Sequence, residues 1–263
     1  MGRVRRPGDV PLTVVIAARD AEAHIAACVA SVAWAAEVLV VENDSTDDTV
    51  RLAGAQGAEV FSHPFRTIGA QRNAAIGRAA HDWIFVLDAD ERCTPELADE
   101  VRSLVGASPA LLAYRVSRRN FFLGREILHG GWERDRPVRL FQRSLRYDER
   151  PVHEHVITSG AVGTLRGKIV HHPYSSLDGY FEKLVRYSRS WAEQHHTAGR
   201  RAGPLHVLVK PPARFVSTYL FRGGFLDGAH GLVLAVLAAV SVAAKYARLW
   251  ARSAGSHEGP DHR

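Results

Sequence analysis

The sequence predicts an α/β protein whose mostly parallel sheet is flanked by helices, with a helical C-terminal extension, and three observations carry that prediction. Over the first ~105 residues, β-branched runs alternate with stretches of helical apolar spacing, the pattern of a parallel sheet covered on both faces. One of those runs, Ile84-Phe85-Val86-Leu87, leads straight into Asp88 and Asp90. A buried strand that opens into acidic residues at its carboxyl end is where open α/β sheets place ligands. Finally, the last third holds thirteen residues, Leu232 to Ala244, of which only Ser241 is polar.

Each element has its own signal. Leu12 to Ala18 is a β-branched strand, and Asp20 is a candidate cap for a helix with Ile25, Cys28, Val29 and Val32 on one face. Glu37 to Val41 is a second strand; Ser45 with Asp48 resembles a capping box for the next helix. Val60-Phe61 is a brief third strand, and Gly69 to Ala80 is a helix of small residues leading into the central strand. Thr94 caps and Pro95 starts a helix with Leu97, Val101, Leu104 and Val105 on one face. Leu111 to Val116 is one more strand, and Arg118 to Arg150 reads as loop-rich. Tyr180 to Gln194 has the spacing of an amphipathic helix. The apolar run 232–244 is shorter than the roughly 20 residues a spanning helix needs. Its basic and aromatic neighbours (Arg214, Arg222, Lys245, Arg248, Arg252, Tyr219, Phe221 and Trp250) suit a helix lying in a membrane interface; a helix packed on the core is the alternative. Residues 1–9 read as a disordered basic tail and 253–263 as a polar one.

Composition narrows the function classes. With 263 residues, 46% apolar and 24% charged, the chain is long enough and apolar enough for a sizeable core. The net charge of +6 rests on arginine, since only Lys168, Lys183, Lys210 and Lys245 are lysines. Arginine suits phosphates, anionic sugars or an anionic membrane surface. No nucleic-acid-binding module is visible, so nucleic acid is not an expected partner. Cys28 and Cys93 read as packed thiols in a reducing compartment. MGRVRRPGDV lacks the apolar stretch of a secretory signal, so a cytoplasmic location is expected.

The acidic pair is the centre of the chemistry. Alternation along an extended chain puts Asp88 and Asp90 on one side, where two carboxylates can share a hard cation. A solvated turn also collects aspartates, so the pair gains meaning from its company. That company is Ser45-Thr46-Asp47-Asp48-Thr49, Gly69-Ala70-Gln71-Arg72-Asn73, Asp82-Trp83, Gly131-Trp132 with Asp135, Arg139-Leu140-Phe141, Val152-His153-Glu154 and His171. In this order and spacing the pieces resemble glycosyltransferase family 2, of the GT-A fold. More narrowly, they resemble its branch of lipopolysaccharide-core β-glucosyltransferase-like proteins. The resemblance runs from about Val14 to Lys183 and recurs weakly in Gly224-Phe225-Leu226-Asp227-Gly228.

The resemblance implies a nucleotide-sugar donor, a divalent metal (Mg2+ or Mn2+), a glycan or glycolipid acceptor, and inversion at the anomeric carbon. It assigns 10–175 to a GT-A catalytic domain, with 10–105 the donor half and 106–175 the acceptor half, and leaves 176–252 as a helical region, a candidate for the membrane interface. Asp90 is expected as a direct metal ligand, Asp88 as a ribose or water-bridged contact within the metal pair, and His171 as a further ligand or a core hydrogen-bonder. Ala17, Arg19, Glu42 and Asp44 should lie near the nucleoside; Gln71, Arg72 and Asn73 should lie near the diphosphate or base. For Arg72 a salt bridge to a surface acid is the plainer role. Glu154, oriented by His153, is the expected base, with Asp135 its competitor. Arg19 stands where the family usually has Asn, and Glu42 where it usually has Asp.

Three rivals make different demands. A nucleotidyltransferase wants a glycine-rich loop after the first strand, and Ala17-Ala18-Arg19-Asp20 has no glycine. A non-catalytic glycan- or membrane-binding relative would lack donor hydrolysis. A zinc hydrolase built on His153, His155, His171 and His172 would lack the usual cysteine set or His-Glu-x-x-His helix.

Overall fold

A computed structural model describes residues 10–107, 109–150, 154–174 and 176–255. The basic tail 1–9, His153 and the end of the polar tail lie outside them. The first half alternates strand and helix: β1 (Val10–Ala18), α1 (Ile25–Ser31), β2 (Ala35–Glu42), α2 (Thr49–Ala55), β3 (Glu59–Ser62), α3 (Ile68–Arg78), β4 (Trp83–Asp88), β5 (Glu91–Cys93) and α4 (Pro95–Gly106). Then come β6 (Ala113–Phe122), β7 (Arg125–Ile127), β8 (Val138–Gln142), β9 (Gly163–Tyr174), α5 (Leu177–Thr197), α6 (Pro204–Val216) and α7 (Gly228–Gly255).

The strands form one mixed sheet in the order β3-β2-β1-β4-β8-β6-β9-β5, with β7 paired to β6. β3, β2, β1 and β4 are parallel, which is the α/β half the sequence predicts; β8 is antiparallel to β4, and β6 to β8. The apolar runs of β1 and β4 are continuous because both faces of this sheet are covered. Val14, Ile16, Phe85 and Leu87 lie in one buried cluster, while Val15, Ile84 and Val86 lie in another.

Local signals hold where a side chain is free to act on the backbone. Thr94 Oγ1 accepts from Leu97 N at 3.3 Å and Pro95 opens α4, as expected. Two expected caps do not form. Asp20 sits in the left-handed region at φ 44°, and the N-terminus of α1 has no side-chain cap; Ser45 does not cap α2 either, which starts after Asp48 without a capping bond. Both residues are instead engaged between loops, where the Asp20 amide donates to Ser45 Oγ at 3.4 Å. The loop expected from Arg118 is also corrected: β6 continues to Phe122 and β7 returns along it, because the Arg118 charge is met by carboxylates rather than by water.

The apolar run 232–244 is the middle of a longer helix. Residues on both sides continue it, so α7 has 28 residues, about 42 Å at 1.5 Å per residue. The stretch Gly224–Ala254 is long and apolar enough to cross a membrane by length and composition, with mean hydropathy 1.9 and 28% of its apolar window buried. The expectation of a run too short to span is therefore corrected on length.

The chain divides into two units, Met1–Arg119 with Asp135–His172, and Asn120–Arg134 with Pro173–Arg263. The segment 120–134 thus belongs with the C-terminal helices, unlike the division expected from sequence. In this second unit, Phe122, Ile127, Tyr180, Leu234 and Leu237 form a core, and Asp227 ties the Leu128-His129 backbone down through both carboxylate oxygens.

Candidate active site

Parallel strands end at one edge of the sheet, and the site is built there. In register, Ala17 lies beside Val41 on one side and Asp88 on the other, and Ala18 lies beside Glu42. Ala17, Glu42 and Asp88, separated by up to 71 positions in the chain (88 − 17), thus share this edge. The loops after β1 and β2 are laced together. Asp20 Oδ1 accepts from Thr46 N at 2.8 Å, Asp47 Oδ2 from Glu22 N at 2.9 Å, and Thr49 Oγ1 from Ala21 N at 2.7 Å. Glu42, buried, accepts from Ser45 N at 3.1 Å. Asp44 is held at φ 49°, a conformation that Asp tolerates better than most residues. Hence the Ser-Thr-Asp-Asp-Thr motif acts first as a loop clamp. Arg19 is exposed and its nearest ion pair is Asp20, at 3.5 Å.

The Gly-Ala-Gln-Arg-Asn motif opens α3. Thr67 Oγ1 accepts from Ala70 N at 3.0 Å, which caps the helix. Gly69 lets the chain at Asp148 pass, since a Cβ there would lie 2.1 Å from the Asp148 carbonyl oxygen. Gln71 Nε2 donates to His63 O at 2.7 Å. Asn73, expected at the donor, clamps Tyr147: its Nδ2 donates to the Tyr147 carbonyl and its Oδ1 accepts from the Tyr147 amide, both at 2.9 Å. With both polar ends engaged, Asn73 positions a loop. Arg72 is buried, and its plainer role as partner of a surface acid is also corrected.

Three guanidinium groups converge on Asp88. Arg72 Nη2 donates to Oδ1, Arg118 Nη2 to Oδ2 at 2.9 Å, and Arg139 Nη2 to Oδ2 at 2.6 Å. Behind them sits Glu91, fully buried. It accepts from the Asp88 amide at 2.8 Å, from Arg118 Nε at 2.5 Å and from Arg139 Nη2 at 2.9 Å. Burial by itself raises the Asp88 pKa; Arg139, Arg72 and Arg118 overcome that and hold the carboxyl well below the usual carboxylate range. The two base candidates join the same network. Arg72 Nη1 donates to Glu154 Oε1, and Arg118 Nη1 to Asp135 Oδ2, each at 2.5 Å. Each candidate is therefore linked to Asp88 through one shared arginine.

Asp90 lies outside this cage. Its Oδ1 is 3.7 Å from His171 Nε2, and its carbonyl accepts from His172 N at 3.0 Å, because β5 pairs with β9 and sets Glu91 opposite His171. Burial lowers the His171 pKa although Asp90 opposes the shift, so the imidazole is neutral at pH 7 and can offer a lone pair. A carboxylate and a neutral imidazole are ligand types that suit Mn2+, and a carboxylate with water suits Mg2+. Asp88 accepts from three guanidinium groups, one on Oδ1 and two on Oδ2, which suits the indirect, water-bridged or ribose contact expected of it. Among the described residues no three His, Cys, Asp or Glu form a ready metal cage. Both thiols are buried and inert: burial raises the Cys28 pKa and pushes that of Cys93 up to about 12.

Sequence reasoning gave no role to Arg118, and used Glu91, directly after the acidic pair, and Arg139 only as parts of motifs. An arginine within the apolar run Val138-Arg139-Leu140-Phe141 is itself a signal, since a charge in a buried strand needs a carboxylate partner. Arg118 had no such signal, because its strand reads as loop.

Residues 13–169 match the family model described as Glycosyl transferase family 2, more than half of the chain. The chain belongs to glycosyltransferase family 2. Lipopolysaccharide core biosynthesis glycosyltransferase LpsC of Rhizobium meliloti is 28% identical to it over 253 residues, covering 90% of this chain and 94% of the relative. An uncharacterized glycosyltransferase of Rickettsia typhi is 25% identical over 251 residues, covering 90% and 86%. Glucosyl-3-phosphoglycerate synthase from Mycobacterium tuberculosis, solved with Mn2+, UDP and phosphoglyceric acid, aligns over 43% of this family 2 chain and 49% of its own. Its identity is 22% and the TM-score 0.37, a partial likeness that says nothing about ligands here.

Proposed function

We propose that this glycosyltransferase moves a hexosyl group from a nucleotide-sugar donor to a hydroxyl of a lipid-linked or cell-surface glycan, with inversion and with the help of a divalent metal. The carrying observation is Asp88 and Asp90 at the carboxyl end of the central strand, one caged by arginines and the other beside a neutral histidine. Ala17, Glu42 and Asp44 line the nucleoside end of that edge in this reading, with Arg19 at its rim. Arg72 sits where the donor's diphosphate would approach Asp88. Asp90 and His171 are the residues that would hold Mg2+ or Mn2+. Such an ion supplies positive charge to the departing diphosphate.

In the transfer, the acceptor oxygen forms a bond to C1 from the face opposite the diphosphate, and the C1–O bond to the diphosphate breaks with its electron pair. The hydroxyl proton goes to a carboxylate. Glu154 is the proposed base, half-buried and held by Arg72; Asp135, held by Arg118 and more exposed, is its competitor. The second unit is the proposed membrane contact, placing the enzyme peripherally on the inner face of the cell membrane. Its α7 has only part of its apolar surface buried.

The test is a melting-temperature panel of nucleotide sugars, each with and without Mn2+ or Mg2+. A ligand that binds the native state raises the midpoint by mass action. We expect one donor to give a metal-dependent rise that Asp90→Ala abolishes while the protein still melts cooperatively. No rise with any donor would sink the donor-binding reading.

A further inference from the structure

Glu154, the proposed base, lies between β8 and β9, outside every helix and strand, and the hydrogen bonds that hold its neighbours lead to one residue. The Asp148 amide donates to His155 O at 2.9 Å, the His155 amide to Asp148 Oδ1 at 3.2 Å, and the Ile157 amide to Arg146 O at 2.8 Å. Tyr147 therefore faces Val156 in an antiparallel bridge, and both are buried. In such a pair a residue whose neighbours make the bonds turns its own amide and carbonyl to the other side. Those of Tyr147 meet Asn73, one residue from Arg72. The Tyr147 ring is packed edge-on against Phe141, with centroids 5.7 Å apart, and lies 4.8 Å from the Arg72 guanidinium carbon. Arg72 donates to Glu154 and to Asp88 through its two Nη atoms, while its Nε is buried with no partner among the described residues. The aromatic face is thus what meets the guanidinium away from its two carboxylates. The Tyr147 hydroxyl is also buried with no partner among the described residues, which costs stability, so the ring and the backbone are what the site uses.

We propose that Tyr147 is a positioning residue for the transfer. Its backbone holds the segment that carries Glu154, and its ring holds the Arg72 guanidinium that Glu154 meets. This rests on the reading of Glu154 as the base, and adds the residue that fixes the base relative to Asp88. Asp135 reaches Asp88 through Arg118 instead, so Tyr147 serves one of the two candidate arms and not the other.

The experiment follows release of nucleoside diphosphate by the full chain with Mn2+ and, in turn, UDP-glucose, UDP-galactose and GDP-mannose, water standing in for the acceptor hydroxyl. Tyr147→Leu should lower the rate on the order of 10- to 100-fold, since a misplacement of ~1 Å can cost about 10²-fold. Tyr147→Phe keeps the ring and drops only the unpartnered hydroxyl, so it should rescue the rate. In a Glu154→Gln background, Tyr147→Leu should add less than about 2-fold, because it acts through a group already removed; a merely structural loss would multiply in full. Hydrogen exchange on the ligand-free chain is the second arm, and it decides alone if none of the three donors is turned over. The amides of 155–157 should exchange faster in Tyr147→Leu while those of β1 do not change. If Tyr147→Leu does not melt cooperatively, Tyr147→Met, which fills the space without a ring, takes its place. A Phe variant as slow as the Leu variant, full multiplication with Glu154→Gln, or unchanged exchange at 155–157 overturns the positioning role and leaves the base standing. Wild-type release by Glu154→Gln removes Glu154 as the base, and this proposal with it.

Discussion

Asp88 and Asp90 are two residues apart, yet they take different roles because their neighbours differ. Asp88 meets three guanidinium groups and is held ionised; Asp90 meets an imidazole whose pKa burial lowers. Glu91 is what keeps the cage in place, since it receives one hydrogen bond from each of Arg118, Arg139 and the Asp88 backbone. The two base candidates are equivalent in topology, each one arginine away from Asp88, and only substitution separates them. Glu154→Gln should lower kcat about 10²–10⁴-fold, the usual contribution of a general base, with Asp135→Asn well below that. A larger kcat loss in Asp135→Asn would reverse the assignment, and measuring product formation with saturating donor reads it directly.

At the scale of elements, α3 and the loop after β8 form one rigid piece. Asn73 clamps Tyr147 through both its backbone amide and its carbonyl, Arg72 lies 4.8 Å from the Tyr147 ring centroid, and Gly69 allows Asp148 to pass. Arg72 is aimed at Asp88 and Glu154 by this docking. Gly69→Ala forces the Asp148 backbone away, because no flexible side chain is there to yield. We expect a loss of about 1–3 kcal/mol, the range for overpacking, together with a fall in kcat larger than any rise in KM. Urea unfolding and steady-state kinetics on the same sample check this. Unchanged stability would mean that the loop does not pack on α3 as described.

At the scale of the whole molecule, the Asp88 cage makes a prediction about acid stability. Its pKa is depressed on folding, so the stabilisation is complete above the unfolded carboxyl value of 3.8 and is lost as pH falls through the lower folded value. Wild type should therefore lose urea stability as pH drops below about 4. Asp88→Asn should start lower, with Arg72, Arg118 and Arg139 short of one partner, and show a shallower decline over the same range. Parallel declines in the two proteins would remove Asp88 as the cause.

Periodicity and composition by themselves determined the parallel half of the sheet, the α4 cap at Thr94 and Pro95, and the acidic end of β4. These are local facts, set by side-chain alternation and by which residues satisfy a helix end. The same local rules failed at Asp20 and Ser45, where capping chemistry was diverted to bonds between two loops. They failed again at Arg118, where a charged strand reads as loop until its carboxylates are known. Family resemblance named Asn73 and Asp88 as ligand contacts, and only the tertiary structure showed that one also clamps a backbone and the other accepts from three arginines. The reason is physical: the partners of a buried charge lie 16 to 51 positions away along the chain, and no local pattern encodes who they are.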